Sequence, residues 1–237
     1  MGLSNYLPNS RLNQPGVCTS STRPASPYEG QVIYETDTDR VLVWNNSAWV
    51  DPSTGRVGRA GLVKIIPTSV SGTGASRDAN TGDVTVSSGS TSVTINGIFS
   101  SAHQAYRIVV TEATTASTTS LLYQLTSSGT AATTTYYWAG YMVNYTAGFS
   151  SVDQRGTNTD SWQGPITTTG NVGTAFDLFD PFESKITTYQ GFRNDSRSDG
   201  AVMFVGGYHN QTTSYDGLKI NTSANITSLT VQIYGYN

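Results

Sequence analysis

The sequence predicts an all-β protein, and three observations carry the prediction. Apolar residues alternate with polar ones in short runs, punctuated by Gly, Asn, Ser or Pro. Charged residues are scarce, at 12 %, while Ser, Thr, Gly, Asn and Tyr are abundant; that mix suits strands with polar outer faces and disfavours long helices. No strong helical segment is present, Ser100 to Ala105 offering one turn at most. The expected order is an N-terminal extended arm (1–22), a β-meander (23–51), a linker (52–61) and an antiparallel, jelly-roll-like β-sandwich (62–237).

The meander is the most legible element. After a Pro/Gly-rich approach from Arg23 to Gly30, Gln31–Glu35 and Arg40–Asn45 alternate as strands, and Thr36–Asp39 fits a four-residue hairpin loop. That loop sets Glu35 opposite Arg40, Tyr34 opposite Val41, Ile33 opposite Leu42 and Val32 opposite Val43, with a Glu35–Arg40 pair closing the end. Asn45-Asn46-Ser47 then turns the chain into Ala48-Trp49-Val50. One face carries Ile33, Leu42 and Trp44; the other carries Val32, Tyr34, Val41 and Val43. Three short strands cannot shield two apolar faces, so the element reads as a docking module.

The arm before it holds Pro8, Pro15 and Gly16 among small polar residues and has no periodic pattern. It is expected to order only on a partner. The docking set is therefore Leu3, Tyr6 and Leu7 from the arm with Ile33, Tyr34, Leu42, Trp44 and Trp49 from the meander. Three meanders around an axis would bury one face against each other, with Trp44 and Ile33 nearest the axis; a twofold pair would also bury one face.

Residues 23–50, RPASPYEGQVIYETDTDRVLVWNNSAWV, resemble a short module of structural proteins of tailed bacteriophages: tail fibres, minor tail proteins and capsid-attached fibres. The Arg-Pro-x-x-Pro-x-x-Gly start, the Asp-Thr-Asp turn and the Ser-Ala-Trp-Val close all match. The resemblance implies a virion component and, because such phage fibres are commonly threefold, a homotrimer; it carries no catalytic residue. A more diffuse pattern, from Ile98-Phe99 through Tyr106–Val109 to Ile226–Asn237, is similar to a β-sandwich domain of phage structural proteins.

Composition excludes several classes. A net charge of −3 without a basic block removes the main electrostatic term of nucleic-acid binding. No run approaches the ~18 apolar residues of a membrane helix, and Met1 to Tyr6 lacks the charged start and apolar core of a secretory leader. The single Cys18 excludes an intrachain disulfide and reads as a small apolar filler, with an interchain bridge as the alternative. Six sequons, starting at Asn45, Asn144, Asn194, Asn210, Asn221 and Asn225, read as coincidence in so Asn- and Thr-rich a chain.

From residue 62 the expected strands are 62–66, 84–86, 92–95, 106–111, 121–125, 134–145, 175–180, 185–189, 201–206, 217–220 and 229–234. In the run 134–145, Tyr137, Tyr141, Val143 and Tyr145 share one face, and Tyr136, Trp138 and Met142 the other.

Chemistry is thinly represented. His103 and His209 lie far apart in sequence, no Gly-x-Ser-x-Gly nucleophile elbow exists, and the phosphate-loop pattern around Gly72 and Gly74 is incomplete. Two His and one Cys are too few for a zinc site, and no cofactor is expected. Asp177, Asp180 and Glu183 cluster in FDLFDPFES. It reads as a corner of the sandwich at Pro181, against glycoside hydrolysis or calcium binding. Residues 145–173 read as a long Gly- and Thr-rich loop. Tyr145, Phe149 and Trp162 there are candidate glycan contacts, with Tyr208 and Tyr215 a second group; the competing reading of Trp162 is a plug at the end of the sandwich or a contact with a neighbouring subunit.

The function expected from these residues is a non-enzymatic phage virion protein, a fibre, spike or decoration. Its partners would be copies of itself, other virion proteins and host-surface glycans, with no nucleic acid and no membrane. The alternatives are a glycan-hydrolysing tailspike-like enzyme using the carboxylate cluster, and a free carbohydrate-binding module.

Overall fold

Alternating β-branched and aromatic residues form strands throughout. The computed structural model describes residues 16–52, 61–87, 89–144, 152–195 and 200–236, and every helix or strand among them is a strand. The chain divides into two units, Met1–Arg59 and Ala60–Asn237, a break that falls inside the expected linker.

In the first unit, β1 (Gly16–Cys18), β2 (Val32–Glu35), β3 (Arg40–Trp44) and β4 (Trp49–Val50) form a sheet in that order. β2 and β3 pair in the register read from the loop length: Val32 with Val43, Ile33 with Leu42, Tyr34 with Val41 and Glu35 with Arg40. Asp39 closes the turn in the left-handed region, φ 52°. β1, inside the stretch expected to be a patternless arm, adds a parallel edge to β2.

One expected contact is replaced. Glu35 faces Arg40 across the sheet, but its carboxylate is bonded by Arg23 and by Thr38 Oγ1 at 2.8 Å. Glu35 is buried while Arg40 is exposed to water, so the carboxylate takes the guanidinium that reaches it from the Pro-rich approach. Arg23 holds the Glu35 carboxyl below its usual range. Asp37 accepts bonds from Ser20 N (2.9 Å) and Ser20 Oγ (2.5 Å), and Tyr34 donates to Asp39 at 2.7 Å. The acidic hairpin turn thus clamps the segment that leads into it.

Among the described residues, the second unit holds fifteen strands in one connected sheet. They are β5 (Leu62–Lys64), β6 (Ser69–Ser71), β7 (Ala75–Arg77), β8 (Val84–Val86), β9 (Ser90–Asn96), β10 (Ala105–Thr115), β11 (Thr119–Ser127) and β12 (Thr130–Ala131). They continue as β13 (Tyr136–Asn144), β14 (Val152–Thr159), β15 (Trp162–Thr167), β16 (Thr174–Phe179), β17 (Thr187–Asp195), β18 (Ala201–His209) and β19 (Gly217–Tyr236). Among the described residues its pairings are antiparallel except one bridge between β15 and β17. The core lies along the inner face, with Ile95, Ile108, Leu121, Leu178, Ile220 and Ile233 fully buried.

β19 organises the sheet. Its first half pairs with β9 and β11, and its second half with β5, β8 and β10. The sequence predicts two strands, 217–220 and 229–234, across this span. The inward positions are even-numbered in Leu218, Ile220, Thr222 and Ile226, then odd in Leu229, Val231 and Ile233. A register shift against β10 between Ile226 and Ser228 changes the parity, and this bulge is what breaks the alternation.

The expected loop at 145–173 is corrected in part. Residues 152–159 and 162–167 are the strands β14 and β15, paired to β13 and β11. Gly156 and Gly164 mark close packing rather than turns: a Cβ on Gly156 would fall 2.1 Å from Trp138 Nε1, and one on Gly164 2.6 Å from the Tyr123 ring.

Candidate functional site

The expected docking residues divide by burial. Leu3, Tyr6 and Leu7 lie outside the described residues. Ile33 and Leu42 are buried, which corrects the placing of Ile33 at an oligomer axis: its side chain has no surface left to offer a partner. Trp44 and Trp49 are half-buried against each other, ring centres 5.5 Å apart. The apolar surface the unit does present comes from the other face: Val17 (72 % exposed), Val32 and Val41, with Tyr34 half-buried beside them.

The expected glycan contacts are redistributed. Tyr145 and Phe149 lie outside the described residues. Trp162 is an interior residue, 0 % exposed, stacked on Tyr189 at 4.7 Å and edge-on to Tyr136 at 5.0 Å. Its Nε1 donates to the Tyr208 carbonyl at 3.3 Å. Tyr215 is buried beside His209, ring centres 5.3 Å apart. Neither ring reaches solvent, because the two complete one aromatic cluster inside the sheet. Tyr208 alone of the described set stays exposed, stacked on Tyr137 at 4.8 Å and 6°.

The two histidines serve the fold. His209 is buried in β18, its Nε2 3.1 Å from the Thr134 carbonyl and its Nδ1 3.3 Å from the Tyr215 hydroxyl. Burial pushes its pKa down. His103 bonds the Tyr236 carbonyl at 3.0 Å.

The carboxylate cluster is spread over a strand end and a turn. Asp177, in β16, accepts Arg107 Nε at 2.8 Å and Arg107 Nη2 at 2.9 Å, and also the Tyr236 hydroxyl at 2.8 Å. Asp177 raises the Arg107 pKa further above its ordinary value. Asp180 leaves the strand in the left-handed region, φ 56°, and its N–H bonds the Gln104 carbonyl. Among the described residues no group of three His, Cys, Asp or Glu is placed to hold a metal ion.

What sequence reading missed is the outer face of the strands β13, β18, β17, β16 and β10. Register places Ala139, Gly206, Gln190, Asp177 and Arg107 in one row across it. On one side of the row stand Tyr141, Phe204 and Phe192, also in register. On the other stand Tyr137 and Tyr208. Phe204 and Phe192 are 54 % and 52 % exposed, with ring centres 4.9 Å apart. Concavities of about 680 and 300 Å³ meet at Gly206. The alternation of 201–209 marks which residues point outward; which strand lies beside which was not readable.

No protein-family model matches this chain, and no curated protein or solved structure is significantly similar to it.

Proposed function

We propose that this chain is a structural component of a tailed-bacteriophage virion. It is a fibre, spike or decoration docked to the particle by its N-terminal arm and first unit. The second unit, a jelly-roll-like β-sandwich, faces outward to meet host-surface glycans and performs no catalysis. The observation that carries this reading is the segment 23–50. It resembles a recurrent phage module, and its strands join β1 in a small sheet that exposes Val17, Val32 and Val41 on one face. Such a face is covered by a neighbour in an assembly. The assembly includes copies of the chain itself, in a homotrimer.

Deleting residues 1–51 tests the reading. The truncated protein is expected to stay folded by circular dichroism, to be excluded from particles, and to lose the trimer that light scattering reports for the full chain. Incorporation of the truncated protein into particles refutes the docking role, and a monomeric full-length protein at micromolar concentration refutes the trimer.

A further inference from the structure

We propose that the outer face of β13, β18, β17, β16 and β10 is a binding trough for an extended, uncharged oligosaccharide. This deepens the proposed host-surface contact and rests on that reading only for the source of the sugar; the ligand class comes from the face itself.

The floor of the trough is small and polar: Ala139, Gly206, Gln190 and then the Asp177–Arg107 pair. Strand spacing makes the run from Ala139 to Asp177 roughly 14 Å, long enough for several linked pyranose rings. The walls are aromatic. Tyr208 and Phe204 stand two residues to either side of Gly206, and Tyr137 and Tyr141 stand likewise beside Ala139. Two residues along a strand is about 6.7 Å, so the walls are about 13 Å apart at the backbone. A sugar ring has a C–H face that packs on an aromatic ring and a rim of hydroxyls that both donate and accept. Gln190 offers both functions on the floor, Asp177 accepts and Arg107 donates.

Two further observations choose the occupant. Arg107 and Asp177 neutralise each other at one end of the floor, so that end offers no net charge to an acidic polymer; Arg155, in register with Ala139 at the other end, is a single cation. The surface is concave. A second copy related by a twofold axis would place hollow against hollow and enclose a void, whereas a chain-like ligand fills it.

Gly206 gives a direct test. Its backbone is not in the left-handed region, and an added Cβ would meet only the Tyr189 carbonyl, at 3.5 Å. Gly206→Leu therefore fills the trough while the strand stays intact. The assay is native affinity electrophoresis of the purified full-length protein through dextran, mannan, galactan and neutral O-polysaccharides, with alginate as the acidic contrast. At least one neutral polymer is expected to retard the wild type. Gly206→Leu and Phe204→Ser are each expected to weaken that binding about tenfold or more, with unchanged unfolding temperature. Phe204→Ser, at an exposed ring, decides the matter alone should Gly206→Leu fail to fold.

Four results overturn the proposal: no retardation by any neutral polymer, retardation by alginate alone, variants that bind like the wild type, or a change of oligomeric state in Gly206→Leu. The last would make the face an interface between copies. Because the assay contains no particle, its failure and a failure of virion incorporation are read separately.

Discussion

Replacing Trp162 by Ala separates a core role from a binding role in one measurement. The indole is fully buried between Tyr189 and Tyr136. A Trp side chain removes 150–250 Å² from water, which at about 25 cal/mol per Å² is about 4–6 kcal/mol. Large-to-small substitutions in cores give about 3–5 kcal/mol, consistent with that area. For a unit of this size each kcal/mol moves the melting temperature by about 2–4 °C, so Trp162→Ala should lower it by about 6–20 °C in a calorimetric scan. Trp162→Phe keeps a ring against Tyr189 and loses the Nε1 bond to the Tyr208 carbonyl, so its loss should be much smaller. An unchanged melting temperature in Trp162→Ala, accompanied by lost polysaccharide retention, would refute the core assignment and return Trp162 to the surface.

Two other outcomes follow from the same geometry. His209 is buried with its pKa lowered, so above about pH 6.5 neither the folded nor the unfolded chain protonates it and its environment costs nothing. As pH falls below that value the unfolded chain gains a proton that the folded one resists. Melting temperature should therefore decline toward about pH 5, and decline less steeply in His209→Gln; equal slopes would exclude His209 as the cause. The double variant Asp177→Asn with Asp180→Asn should leave reducing-end release from polysaccharide at the blank level of the wild type. Release by the wild type that disappears in the double variant would favour the hydrolase reading.

The first unit was legible because a hairpin of fixed loop length and alternating residues determines its own register. Its ion pair was not, since Arg23 arrives from outside the strands and sequence spacing says nothing of how the approach folds back. In the second unit, 136–144 showed its two faces plainly, with Tyr136, Trp138 and Met142 all buried. β14 was hidden because VDQRGTNT lacks an apolar face; it is a strand by virtue of pairing with β13. Trp162 was readable as a glycan contact or as a plug, because the glycines around it read as loop signals; it is buried, and Gly164 is there to admit Tyr123. The trough was invisible for a different reason. It takes one to three residues from each of five strands, and only the cross-strand order β13-β18-β17-β16-β10 brings them together.

That same order has a consequence for how the protein is made. β19 is the last strand of its unit in chain order, and five earlier strands depend on it for hydrogen bonds. Until Gly217–Tyr236 has cleared the ribosome, β8, β9 and β10 each lack a neighbour, and their apolar residues wait beside open edges. Such long-range pairing folds slowly and leaves nascent chains prone to clump. A translational pause placed before β19, or a stop codon within it, should therefore deplete soluble protein far more than a comparable change ahead of β5.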